Sequence, residues 1–132
     1  MDQSPLVNDQ IDPGARLVAE FDKYATVQSA FWLKESEGDW HLYITSDQIK
    51  DDNIHLAYRE VHRITHILDD PSLNPFDVKL IGADDPLAQA VMGVKNRHPG
   101  RMHTLFRDCQ IGGMEIQGLH VYGSPIAAPS PR

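Results

Sequence analysis

The chain has 132 residues, 41% of them hydrophobic and 23% charged, which fits one globular domain able to build a core without staples. Its formal net charge is -7, a sign that repels phosphate backbones, so no nucleic-acid partner is expected. A single cysteine, Cys109, rules out an intrachain disulfide and suits a reducing cytoplasm. No apolar run approaches the ~20 residues of a membrane helix, and Met1 to Pro5 carry neither the basic nor the apolar region of a signal peptide.

Residues 1–11 are polar and read as a flexible arm. Asp12 followed by Pro13 reads as a helix start, because Asp caps free amides and Pro suits the first turn. Leu17, Val18, Phe21 and Tyr24 then recur at helical spacing. From Val27 to Glu35 the pattern becomes apolar, β-branched and aromatic, ending in Ala30-Phe31-Trp32-Leu33. Ser36-Glu37-Gly38-Asp39 is a turn signal, and Trp40 to Thr45 alternates, so the two segments read as a β-hairpin.

Asp51-Asp52-Asn53 offers caps for a second helix reaching about Leu68. Ile54, Ala57, Val61, Ile64 and Leu68 form its core stripe. Asp69-Asp70-Pro71 ends it, and Phe76, Val78 and Leu80 alternate as a third strand. Asp84-Asp85-Pro86 opens a third helix with Leu87, Val91 and Val94 on its buried face, and Pro99-Gly100 stops it. Met102 to Arg107 and Met114 to Tyr122 read as two more strands around Gly112-Gly113. The apolar phase slips near Gly118, the mark of a β-bulge. Residues 123–132 hold three prolines and read as a disordered tail.

The expected fold is therefore α+β, in the order α-β-β-α-β-α-β-β. One domain spans residues 12–122, with a five-stranded mixed or mostly antiparallel sheet. Three helices are expected on one of its faces, leaving the other partly open.

Seven histidines are the one compositional excess. His62 and His66, at i and i+4 on the second helix, have the spacing of two imidazole metal ligands. Arg63 stands where the zinc-protease motif has Glu, and Arg59 adds a second cation beside the pair. No metal is expected, with His62 and His66 as the candidates if one binds. The acidic pairs Asp51-Asp52, Asp69-Asp70 and Asp84-Asp85 sit before helices or prolines, where capping and turn formation account for them. Gly82 to Pro86 and Gly112-Gly113 lack the features of phosphate loops, so no cofactor is expected.

If Leu42 and Ile44 face the helices, alternation sends His41, Tyr43 and Thr45 to the open face. Trp32, Arg101, His103, His120 and Tyr122 are assigned to that face by the same reasoning. Trp, Tyr and Arg anchor interfaces, so Trp32, Tyr43, Arg101 and Tyr122 form the candidate partner-binding set. The expectation is an interaction or accessory module that forms a homo-oligomer through this face. The alternative is a small His-dependent enzyme or ligand-binding protein using His41, His103 and His120, with Tyr43 beside them.

The block Ala30-Phe31-Trp32-Leu33-Lys34-Glu35 followed by Asp39-Trp40-His41-Leu42-Tyr43-Ile44 resembles a hairpin of small uncharacterised bacterial proteins. Asp77-Val78-Lys79-Leu80-Ile81 followed by Asp84-Asp85-Pro86 is similar to a later segment of theirs, and the likeness covers roughly Ala25 to Tyr122. It contains no catalytic motif and implies no functional residues.

Overall fold

A computed structural model describes residues 8–35, 39–71, 73–96, 103–111 and 114–122. The expected arm over residues 1–7 and the tail over 123–132 lie outside them. Over the described residues the chain is α+β, with three helices and a mixed sheet. Helix α1 spans Asn8–Asp22, α2 Ile54–Leu68 and α3 Pro86–Asn96. Strands β1 (Ser29–Glu35), β2 (Trp40–Thr45), β3 (Val78–Ile81), β4 (His103–Ile111) and β5 (Met114–Tyr122) line up in the order β3-β2-β1-β5-β4. Only β2 and β3 run parallel; the remaining neighbours are antiparallel.

Helix α1 begins four residues before the expected Asp12-Pro13 start, so residues 8–11 are helical rather than part of an arm. Pro13 lies inside the helix. As the sixth residue of the helix it lies past the first four N–H groups, which have no intrahelical partner, so it removes one bond, that to the Asp9 carbonyl. Leu17, Val18 and Phe21 point inward as their spacing requires, whereas Tyr24 falls beyond the helix and is exposed. Helix α2 buries Ala57, Val61 and Ile64 and ends at Asp69, whose φ of 51° is left-handed. The side chain of its N-cap Asn53 makes no bond to the first turn and instead accepts from the Lys50 N–H at 2.7 Å. The third strand is shorter than expected. Pro75–Asp77 forms a 3-10 turn, because Pro75 fixes its φ and the Asn74 side chain accepts from the Phe76 N–H at 2.9 Å. Phe76 thus leaves the strand and is exposed.

The expectation of three helices on one face is overturned. Register decides the matter. Trp32 stands directly opposite Leu42, and opposed residues in an antiparallel pair share a face. Trp32 therefore goes inward with Leu42 and Ile44, where all three join Leu17, Phe21, Val61 and Ile64 in one cluster under α1 and α2. Phe31, Leu33 and Tyr43 point the other way and pack with Val91, Leu119 and Val121 under α3. The βαβ path through α2 and the later crossing of α3 cover opposite faces, so the sheet is buried on both. The phase slip at Gly118 appears as a register shift, with Lys34 opposite Gly118 and Glu35 opposite Ile116. Gly118 is required there, because any Cβ would run into the Trp40 ring.

Candidate functional site

The aromatic and imidazole residues proposed for an open face are largely core. Trp32 is 1% exposed, Tyr122 2% and Tyr43 8%, which corrects the placement assigned from alternation. The Trp32 indole N–H donates to the Tyr122 hydroxyl at 2.9 Å, beneath α1. Gly14 of α1 lies so close that a Cβ there would sit 2.5 Å from that hydroxyl. Tyr43 stacks on Phe31 at 5.3 Å and 9° on the α3 side.

His41 and His120 do not meet. His41 is opposite Leu33 and His120 opposite Trp32, which places them on opposite faces of the sheet. His120 is buried and packs edge-on to Tyr122 at 5.2 Å. For His103 only the backbone is described, in register with Tyr122, and Arg101 lies outside the described residues. A relay through His41 and His120 would have to cross the sheet, so these two do not share one site.

His62 and His66 both lie exposed on α2, beside a groove of about 600 Å³ that also touches Asp69 and Pro75. The His62 ring packs edge-on against Phe76 at 5.0 Å. Among the described residues no three His, Cys, Asp or Glu side chains gather closely enough to hold a metal ion.

A wider concavity lies elsewhere. A cleft of about 900 Å³ opens where the parallel strands β2 and β3 end. Its walls are the segments 46–52 and 82–84, and Gln89 of α3 closes one side. Both α2 and α3 begin at its rim. The first wall is held from behind by side-chain amides: the Asp47 N–H donates to Gln28 Oε1 at 2.7 Å, and Gln48 Oε1 accepts from the Thr26 N–H at 2.6 Å. Asn53 Nδ2 donates to the Gln48 carbonyl at 3.0 Å, which closes the loop on itself. Ser46 at its base is fully buried and accepts from the Gln48 N–H at 3.1 Å. On the second wall Asp85 caps α3 by accepting from the Leu87 N–H at 2.9 Å, as its position before Pro86 implies.

Capping does not account for all the acids. Asp47, Asp51, Asp52 and Asp84 line the cleft with Lys50. Capping and turn formation account for each aspartate pair locally, yet Asp51-Asp52 and Asp84 share one opening. The signal that brings them together is the parallel pairing of β2 with β3, which puts the loop after each strand at the same end of the sheet.

No family model, curated protein or solved structure matches the chain. Among the described residues no helix is long and apolar enough to cross a membrane.

Proposed function

We propose that the protein is a small ligand-binding module of the cytoplasm whose site is the cleft at the carboxyl ends of β2 and β3. The observation that carries this reading is the position of the cleft. In open sheets ligands bind outside the carboxyl ends of parallel strands, where loops meet helix starts on a rigid base. The loop tethered by Gln28, Gln48 and Asn53 needs little ordering when a ligand arrives.

Charge selects the ligand class. Asp47, Asp51, Asp52 and Asp84 oppose one lysine, Lys50, leaving a formal excess of three negative charges. Two helix N-termini at about half a positive charge each lower that excess to about two. The carboxylates outweigh the dipoles, so the cleft favours a cationic organic ligand such as an amine over a phosphate. Spermidine and putrescine, tested at low salt, are expected to raise the Tm. The Asp51→Asn/Asp52→Asn variant is expected to lose the effect, and Asp69→Asn, outside the cleft, to keep it. A larger shift with inorganic phosphate than with the amines, or equal shifts in all variants, would refute the reading.

A second reading keeps self-association but moves its surface. Phe76 is 76% exposed and packs edge-on against His62 on the α2 side of the molecule. Large apolar groups left in water favour burial in a contact. A homo-oligomer through this surface would dissociate in the Phe76→Ser variant, and a sedimentation coefficient independent of concentration in the wild type would dismiss it.

A further inference from the structure

Strand β3 ends the sheet on one side, and an edge strand invites another chain to pair with it. In a parallel pair, the N–H and C=O of one residue point to the same side, and successive residues alternate. The Ile81 carbonyl accepts from the Ser46 N–H at 3.3 Å, on the side of β2. Ile81 and Lys79 therefore turn toward β2, and Val78 and Leu80 turn outward. Both outward donors are already engaged. The Val78 N–H donates to the Pro75 carbonyl in the 3-10 turn, and the Leu80 N–H donates to the Tyr58 hydroxyl at 2.9 Å.

We infer that Tyr58 of α2, with the Pro75 turn, closes the β3 edge of the sheet to strand addition. The half-buried Tyr58 ring packs against the α1–α2 core, so its hydroxyl is held in place at the edge. Lys79, exposed in the middle of the strand, adds a charge that a flat strand-to-strand contact would have to accommodate. Any partner approaching this side must use side chains such as Phe76, and not the backbone ladder.

Tyr58→Phe tests this, since it keeps the ring and removes only the acceptor. The Leu80 amide, followed by hydrogen exchange at low concentration, is expected to exchange about 3–10-fold faster, the effect of losing one ordinary hydrogen bond. Sedimentation velocity is expected to show association growing with concentration, while the Leu80 amide becomes protected again as the strands pair. Unchanged Leu80 exchange would overturn the inference. So would a variant that sediments as wild type at every concentration, including one that loses stability without associating.

Discussion

Replacing Gly14 with alanine sets two effects of opposite sign against each other. In an exposed helix the change would add about 1 kcal/mol of stability through helix propensity. Here the new Cβ would stand 2.5 Å from the Tyr122 hydroxyl and 2.9 Å from the Trp32 indole nitrogen. Neither atom can retreat easily, because both side chains are buried and bonded to each other at 2.9 Å. Overpacking a tight core costs about 1–3 kcal/mol. Breaking the Trp32–Tyr122 bond leaves a buried donor unpaired and costs about 1–3 kcal/mol more. The sum outweighs propensity, so Gly14→Ala should lower stability by about 1–3 kcal/mol, and more if the bond breaks fully. Urea unfolding followed by tryptophan fluorescence measures it as a lower midpoint with an unchanged slope. In a Tyr122→Phe background the hydroxyl is gone and the penalty should shrink, so a double-mutant cycle gives a coupling of at least about 0.5 kcal/mol. A Gly14→Ala protein as stable as wild type, or more so, refutes the close approach of α1 to this pair.

Tyr122→Phe alone strands the buried Trp32 N–H and should cost about 1–3 kcal/mol, with a changed near-ultraviolet circular dichroism signal from Trp32. Burial holds the Tyr122 phenol above its ordinary value of 10.0, outweighing the Trp32 hydrogen bond that lowers it. The folded chain thus keeps a proton that the unfolded chain releases, so this contribution is complete below about pH 10 and lost as pH rises further; spectrophotometric titration should show one tyrosine that ionises only on unfolding. Burial likewise holds the Asp77 carboxyl above its ordinary value of 3.8, partly offset by His41. Stability from Asp77 is lost as pH rises through the carboxylate range, so Asp77→Asn should have a higher Tm than wild type at pH 7 and an equal one near pH 3. Gly118→Ala forces a Cβ into Trp40 and should lower the Tm, an effect that Trp40→Leu would relieve.

Local patterns were readable wherever spacing along a single element was enough to mark it. The α2 stripe from Ile54 to Leu68, the Trp40–Thr45 strand and the slip near Gly118 are of this kind. The layering was not readable, because alternation gives two sides to each strand but does not say how the sides of different strands match. Trp32 shows the failure. Its side depends on the register Trp32↔Leu42, which the 36–39 connection sets, and one residue of slip would reverse it. The same gap hid the side of the sheet that the third helix covers. Leu87 and Val91 announce a buried face, but only the crossing from β3 to β4 determines which side of the sheet receives it. Phe76 misled for a local reason, since its alternation with Val78 continued the strand while Pro75 and Asn74 imposed a turn.

Covering both faces changes where chemistry can occur. A sheet open on one side offers a platform of strand side chains, and Trp32, Tyr43, His120 and Tyr122 would have served as one. With helices on both sides these residues are spent on packing. The β3 edge has its outward donors engaged by Tyr58 and Pro75. The carboxyl end of the parallel pair lacks that kind of closure: two loops diverge there toward helices on opposite faces, α2 on one and α3 on the other. That divergence creates the cleft, because backbones leaving adjacent parallel strands in opposite directions cannot fill the space between them. The acids around Lys50 thus stand where the topology itself leaves room for a ligand, and substitutions at Asp51, Asp52 and Asp84 should alter binding while leaving the two cores intact.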